Sequence, residues 1–319
     1  PPSPPVLALR TLPRDVAAFT GRRTEVARLL AAVRAADPAT GHPIHTVDGM
    51  PGVGKTALAV HVAHRLAGHF PDGQLFLRLH AHTPGRRPVP AVDALAQLLL
   101  GVGVEPRSLP EGVDARAALW RDRLAGRRAL LLLDDVADHA QLEPLLPGAP
   151  GCLVLVTSRR RLTALDGATP LSLDPPPPDD AALLFTRLAH RPPGTATPSD
   201  AAAVAELVEL SGRLPLALVL LAGRLAHQPH GNVRDFADRF AAARDRLGEL
   251  VAGGRAVRAA FDMSYAGLPS ERRRVFRALG LHPGPETDPH ATAALAGLTP
   301  ARAGAARADT AAGFLASLD

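Results

Sequence analysis

Eight consecutive residues, Gly49-Met50-Pro51-Gly52-Val53-Gly54-Lys55-Thr56, match the pattern G-x-x-x-x-G-K-[ST] at every fixed position. Residues of these types at this spacing can hold a run of phosphates. Glycines let backbone N–H groups curl around phosphate oxygens, and the N-terminus of a following helix adds its positive end. Lys55 would reach the outer phosphates, and the Thr56 hydroxyl would hold Mg²⁺. Lys55 is the only lysine among the 36 Lys plus Arg residues. Elsewhere the chain meets its need for positive charge with Arg; here it uses a compact ammonium, which suits a crowded phosphate site better than a planar fork. A glycine-rich turn with no ligand is the alternative. The context argues against it, because a short apolar run, Ile44 to Val47, precedes the loop and a helical one, Ala57 to Leu66, follows.

Two further stretches carry chemistry. Ala129-Leu130-Leu131-Leu132-Leu133 is a continuous apolar run of the kind that forms a buried parallel strand. It ends in Asp134-Asp135, at the strand edge where open α/β sheets bind ligands. By itself an Asp-Asp pair could simply start a turn. Downstream of a full phosphate loop it reads as a Walker B pattern: Asp134 would hold Mg²⁺, directly or through water, and Asp135 would orient or deprotonate the attacking water. Leu153 to Val156 then runs into Thr157-Ser158-Arg159, where Arg159 could sense a γ-phosphate through charge-assisted hydrogen bonds. The competing reading is a solvated basic run, Arg159-Arg160-Arg161.

These groups need a scaffold. Residues 1–13 are Pro-rich and predict an extended lead-in. A helix follows Phe19-Thr20-Gly21-Arg22, with Thr20 or Thr24 as cap and Val26, Leu29, Leu30 and Val33 as its apolar face. Five strands are predicted: Ile44–Val47, Gln74–Leu79, Ala129–Asp135, Leu153–Val156 and Thr169–Leu173. Helices are predicted over Val92–Leu100 and Ala115–Leu124, with Trp120 as a packing residue. Four prolines, Pro175 to Pro178, mark a domain boundary, after which Asp179 or Asp180 would cap a helix through Leu188. Helical patterns continue at Asp200–Leu210, Leu216–Ala226 and Val233–Leu247, then at Val257–Tyr265, at Ser270–Leu279 after a Leu268-Pro269-Ser270 turn that supplies its N-cap, and at Pro289–Leu295. Gly212 can end one helix and Pro215 begin the next.

The bulk composition narrows the class. A chain of 319 residues predicts two or three domains, and 46% hydrophobic residues are ample for real cores. Aromatics make up only 3%, so those cores are Leu, Val and Ala. The net charge of +5 follows from an Arg bias and carries little weight for nucleic-acid binding. Cys152 is the single cysteine, which precludes an internal disulfide and fits a reducing compartment. The start has no basic segment followed by an apolar one, and no run of 18 apolar residues exists, so a cytoplasmic protein with no membrane partner is expected. The 13 histidines show no Cys/His spacing for a structural metal.

Taken in order, Phe19-Thr20-Gly21-Arg22-Arg23-x-Glu25, GMPGVGKT, LLLLDD, LVLVTSR and GRLPLA resemble the NB-ARC class of STAND P-loop NTPases. The finer text, LVLVTSRRRL and Leu281-His282-Pro283-Gly284, is similar to the actinomycete antibiotic-regulator (SARP-type) branch. The resemblance covers about residues 16–300, and the joint order of five motifs is more specific than any one of them.

The resemblance implies an α/β P-loop domain with a parallel five-stranded sheet (14–174), a small all-α helical domain (175–255) and a partial winged-helix domain (256–319). In such a sheet the Thr157–Arg159 strand lies between the phosphate-loop strand and the Walker B strand. Val16, Phe19, Thr20, Gly21 and Arg22 match the adenine-lining segment. Gly49, Pro51, Gly52, Val53, Gly54, Lys55, Thr56 and Ala57 match the phosphate side, and Pro215 with Leu216 matches the residues that close over the nucleotide. The implied cofactors are ADP or ATP with Mg²⁺, and the implied catalytic set is Asp135, Lys55 and Arg159. ADP would hold the domains together, and ATP would open them and permit self-association, with slow hydrolysis. A turnover ATPase is the competing enzyme reading. Direct DNA binding is not expected, since Ser270–Leu279 carries Arg272 to Arg274 and Arg277 without Asn or Gln base readers. Family members usually carry a Met-His-Asp-like segment whose His contacts ADP. No His-Asp dipeptide occurs in this chain, which predicts either a fragment or a weakened ADP lock. Sensor and effector parts would lie in further domains or a partner protein.

Overall fold

The computed structural model describes residues 9–17, 19–35, 43–83, 86–148, 150–190, 198–227, 232–243, 251–252, 255–256, 265, 268–282 and 287–304. Through residue 173 the chain alternates strands and helices: β1 (Leu9–Arg10), α1 (Arg23–Ala35), β2 (Ile44–Gly49), α2 (Lys55–Leu66), β3 (Gly73–Arg78), α3 (Ala91–Gly101), α4 (Val113–Leu124), β4 (Ala129–Val136), a short α5 (His139–Leu142), β5 (Leu153–Ser158) and β6 (Ala168–Leu173). Helices α6 (Pro178–Leu188), α7 (Pro198–Leu210), α8 (Pro215–Ala226) and α9 (Val233–Ala242) follow. A two-strand ladder comes next, β7 (Val251–Ala252) with β8 (Arg255–Ala256), and then α10 (Ser270–Leu279) and α11 (Pro289–Ala296). The described residues pack as two compact units. One lies within Pro1–Ala17, Arg22–Asp48 and Lys55–Ser172, the other within Ala18–Gly21, Gly49–Gly54 and Leu173–Asp319.

The sheet has six strands in the order β1-β3-β4-β5-β2-β6. Parallel pairing joins β1 to β3, β3 to β4, β4 to β5 and β5 to β2. The Thr157-bearing strand therefore lies between the phosphate-loop strand and the Walker B strand. The expected five strands become six because Leu9 and Arg10 pair with Gly73 and Gln74 of β3. The Thr11 N–H extends this pairing by donating to the Gln74 carbonyl at 2.8 Å. A two-residue strand in a Pro-rich lead-in is too short for periodicity to register.

Burial explains the apolar runs. Every residue of β2 and β5 is buried, as are Ala129 to Asp134 of β4. Ala129, Leu131 and Leu133 enter one core with Leu75, Leu77, Val154, Val156 and the inner faces of α3 and α4. Strand alternation turns Leu130 and Leu132 the other way, and α2 packs on β4 and β5. A sheet covered on both faces needs such unbroken Leu/Val strands. Trp120 is fully buried in this core, and its Nε1–H donates to the Leu145 carbonyl at 2.8 Å.

In the second unit α6 packs on α7 and α8, and α7 on α9, through Leu, Val, Ala and Phe side chains. Gly212, at φ +62°, ends α7, and Pro215 opens α8, as the turn chemistry predicts. Two caps are corrected. Pro177, not Asp179 or Asp180, precedes α6, and both aspartates lie in its first turn, where their charge suits the helix dipole. Ser270 is the first residue of α10 rather than its cap. Val275 and Ala278 of α10 pack against Ala296 of α11 in a small core of their own. The β7–β8 ladder escapes sequence reading because two-residue strands leave no pattern. The expected helix over Val233–Leu247 ends at Ala242, and its last residues 244–247 lie outside the described residues, as does Val257–Tyr265 apart from Tyr265 itself. Among the described residues no helix is long and apolar enough to cross a membrane.

Candidate functional site

At its C-terminal end β4 departs from regular geometry. Leu133 pairs with Val156 and Val136 with Ser158, so Asp134 and Asp135 together oppose one residue, Thr157. This is a β-bulge. Asp135 takes the left-handed conformation, at φ +59°, which Asp tolerates better than most residues. In a regular strand two neighbours would point to opposite faces. The bulge breaks that alternation, and both aspartates meet one hydroxyl. Thr157 Oγ1 donates to Asp134 Oδ1 at 2.7 Å and accepts the Asp135 N–H at 3.0 Å.

Asp134 is buried and fully engaged. Its Oδ1 also accepts the Thr56 hydroxyl at 2.6 Å, from the first turn of α2. Its Oδ2 accepts Arg78 Nε at 2.8 Å. Asp135 turns to the segment after β3. Its Oδ2 accepts the His82 N–H at 2.9 Å and the Thr83 hydroxyl at 3.3 Å, while Oδ1 lies 2.9 Å from His82 Nδ1. Burial alone would raise the Asp135 pKa; the ring and backbone donors of His82, with the charge of Arg159, hold it below the usual value. Arg159 donates from Nη2 to the His82 carbonyl at 3.1 Å, and burial lowers its pKa against the pull of Asp135.

Lys55, the first residue of α2, is pushed down to about 8 by burial and by the charge of Arg159, with Asp135, Asp134 and Asp48 pulling the other way. Two cations held this close are poised for an anion such as phosphate. Thr56 and Asp134 supply hard oxygen donors. Among the described residues no group of three or more His, Cys, Asp or Glu could hold a metal. That donor set fits Mg²⁺, which shares its coordination with substrate phosphates rather than taking an all-protein cage.

The loop glycines belong to the other unit and are built for close approach. Gly49, Gly52 and Gly54 all have positive φ, at 144°, 83° and 101°. A Cβ on Gly49 would stand 2.6 Å from the Leu173 carbonyl, and one on Gly52 would stand 3.1 Å from Leu216 Cβ. Leu216, in the first turn of α8, donates its N–H to the Gly52 carbonyl at 3.1 Å, so a helix-end donor is satisfied by the loop. Pro215 Cγ lies 3.9 Å from where a Gly54 Cβ would be. In this unit Thr20 Oγ1 accepts Arg187 Nη1 at 3.3 Å, and a Cβ on Gly21 would strike the Asp180 carboxylate at 2.5 Å.

The structure thus gathers Lys55, Thr56, Asp134, Asp135 and Arg159 in one unit, and Gly52 and Gly54 with Pro215 and Leu216 in the other. Pro51 and Val53 lie within the same loop, and Ala57 is the third residue of α2. Phe19 precedes Thr20 and is half-buried. Arg22 is buried and pairs with Glu25 at 2.8 Å, while Val16 is 42% exposed with its N–H on Asp15. Sequence reasoning missed Arg78, His82 and Thr83. The signal for them is strand order: β3 lies beside β4, with Arg78 in register with Asp134. It also missed Asp48, buried before Gly49, whose Oδ1 accepts the Ser172 hydroxyl at 2.9 Å and whose pKa burial raises.

A parallel sheet with the phosphate loop after β2 and paired carboxylates at the C-terminal end of β4 defines a P-loop NTPase. The chain belongs to the AAA ATPase domain family, whose profile matches residues 18–318. It is 41% identical over 289 residues, or 91% of its length, to the regulatory protein AfsR of Streptomyces griseus. The match takes in 29% of that protein, so the chain spans under a third of its curated relative. A disease resistance-like protein of Arabidopsis thaliana, DSC1, is 34% identical over 116 residues, covering 35% of this chain and 9% of that one. The kinship read from the motif order, with NB-ARC proteins and the antibiotic-regulator branch, therefore holds. Among solved structures the ORC2 protein of Aeropyrum pernix, in ADPNP–ADP complexes, matches with a TM-score of 0.51 at 12% identity. That match covers 97% of this chain and 84% of that one, and it supports the fold alone.

Proposed function

We propose that the chain is a nucleotide switch. It binds ADP or ATP with Mg²⁺ at Gly49–Thr56, hydrolyses ATP slowly, and couples nucleotide state to domain opening and self-association in signalling or transcriptional regulation. The observation that carries this reading is the constellation around β4: Lys55 held near Arg159, Thr56 on Asp134, and Asp135 fastened by His82 and Thr83. Lys55 and Arg159 would hold the outer phosphates. Thr56 and Asp134 would hold Mg²⁺, which supplies charge neutralisation at the phosphates. Asp135 is better placed to orient water than to remove its proton, since three donors and a lowered pKa make it a weak base. Slow hydrolysis would suit a switch, whereas continuous turnover would need a strong base at this position.

Val16 and Phe19 to Arg22 would line the adenine, and Pro215 with Leu216 would close over the nucleotide. The domain reading behind this is a P-loop domain at 14–174, a helical domain at 175–255 and a winged-helix-like domain at 256–319. Signal reception and output would come from further domains or a partner protein. The test is the nucleotide that copurifies with the chain, followed by single-turnover hydrolysis. Retained ADP with slow turnover supports the switch; rapid multiple turnover overturns it. Equal ADP affinity in the native chain and Lys55→Ala overturns the site.

A further inference from the structure

The reading above gives Asp134 to Mg²⁺, yet in the structure its carboxylate has other commitments. Oδ1 accepts two hydroxyls, Thr56 at 2.6 Å and Thr157 at 2.7 Å. Oδ2 accepts the Arg78 guanidinium at 2.8 Å. The hydroxyls are neutral: Thr157 can stay as an outer partner of the metal ligand, and Thr56 would join Asp134 on the metal. Arg78 is different, because it brings a full positive charge to the carboxylate a divalent cation would use.

The two ends of this ion pair are built unequally. The Asp134 side chain is 3% exposed, whereas that of Arg78 is 46% exposed. A carboxylate so deeply buried is strongly destabilised without a counter-charge. A guanidinium half in water can leave at little desolvation cost. Its position is fixed by the fold, since Arg78 is the last residue of β3 and pairs in register with Asp134. Its guanidinium also lies 5.7 Å from the centre of the Phe76 ring, within cation–π range. The arginine is therefore tethered beside the metal site by one strand-end side chain, with solvent on its outer side.

We propose that Arg78 is a positioning residue that stands in for Mg²⁺: it neutralises Asp134 in the metal-free protein and is displaced when the ion arrives with nucleotide. This rests on the nucleotide-and-metal reading of the site and adds a rule for when the metal enters. Because Arg78 and Mg²⁺ compete for one carboxylate, the metal requirement of nucleotide binding is set by a residue that touches neither phosphate nor nucleophile. Without Mg²⁺, Arg78 keeps a buried negative charge from facing the phosphates, so ADP is tolerated alone. With Mg²⁺, the freed arginine becomes a surface charge, and the strand end on which it sits reports metal occupancy.

The experiment compares the native chain with Arg78→Gln and Arg78→Lys. Fluorescent ADP is titrated in EDTA and across a Mg²⁺ series, and bound ion is read directly by Mn²⁺ paramagnetic resonance. Arg78→Gln should lower the Mn²⁺ or Mg²⁺ concentration at half-saturation by about tenfold, because the competitor is gone. It should also weaken metal-free ADP binding by about tenfold, because Asp134 is bare. Arg78→Lys should restore metal-free binding towards the native value. An unchanged metal midpoint in Arg78→Gln, with ADP still bound, overturns the proposal and leaves the site reading intact. A native chain that binds no nucleotide at any Mg²⁺ concentration overturns both. Should Arg78→Gln fail to fold, Arg78→Met decides. It keeps an apolar stem and removes the counter-charge, so its metal midpoint must fall below the native one, and an identical midpoint overturns the proposal.

Discussion

The Thr56 hydroxyl donates to Asp134 Oδ1 at 2.6 Å, joining residues 78 apart in sequence. One is the last residue of the phosphate-loop pattern; the other is the first carboxylate at the C-terminal end of β4. Their junction is where an oxygen-liganded metal would be held. Thr56→Ala should therefore reduce the benefit that Mg²⁺ gives to ADP binding by about tenfold, or ~1.4 kcal/mol, while leaving metal-free binding near native. Thr56→Ser should behave as native. Calorimetric ADP titrations with Mg²⁺ and with EDTA check this, and an unchanged difference between the two would remove Thr56 from the metal site.

Lys55 should give nucleotide binding a pH dependence. Burial and Arg159 bring its pKa from 10.5 to about 8, and a bound phosphate would raise it again. Above about pH 8 the free protein loses this proton while the nucleotide-bound form keeps it. Affinity for ADP should then fall as pH rises past that point, towards tenfold per unit, with proton uptake on binding. The sign for folding is opposite. Between about 8 and 10.5 the unfolded chain binds the Lys55 proton more than the folded one, so this group's contribution to stability rises with pH across that window. Titrations at pH 7, 8 and 9 in buffers of different ionisation enthalpy read the proton uptake directly.

Asp135→Asn should separate binding from hydrolysis. Asn tolerates the left-handed φ of +59° as well as Asp does, so the bulge should survive and the melting temperature should stay within a few degrees of native. Its amide oxygen can keep one of the donors from His82 or Thr83. Mg-ATP should remain bound, while single-turnover hydrolysis should slow by about a hundredfold. Unchanged turnover would place the water-handling group elsewhere.

Much of the site is legible in the sequence because its parts are local. A phosphate loop is eight adjacent residues, and β4 announces itself by five apolar residues ending in two carboxylates. The helices of the second unit follow from apolar periodicity, and Gly212 and Pro215 punctuate them as their backbone restrictions require. What stays hidden depends on strand order. Arg78, His82 and Thr83 reach Asp134 and Asp135 only because β3 lies beside β4, which no residue in either strand encodes locally. That the Thr157 hydroxyl bridges both aspartates follows from a bulge, which a run of leucines followed by Asp-Asp does not reveal. Strand β1 was missed for another reason: two residues are shorter than any period.

Gly52 tests how tightly the loop is held by the start of α8. Its φ of +83° is open to glycine but strained for residues with a side chain, and an added Cβ would come within 3.1 Å of Leu216 Cβ. Gly52→Ala carries both penalties. The backbone part should cost about 1–2 kcal/mol, and the contact with Leu216 should add to it, because Cβ is not the far end of a flexible side chain. Leu216→Ala keeps its own Cβ, so it relieves little of the contact and none of the strain. Leu216→Gly relieves the contact fully, at a helix-propensity cost of about 1 kcal/mol. Melting temperatures of Gly52→Ala, Leu216→Gly and the double variant, each with and without ADP, form a cycle whose coupling term isolates the contact. Coupling should be positive, with the double variant less destabilised than the sum of the singles. The Gly52 carbonyl that accepts the Leu216 N–H at 3.1 Å is present in all of them, so a coupling near zero would mean that this hydrogen bond, and not the side-chain approach, sets the fit between loop and helix.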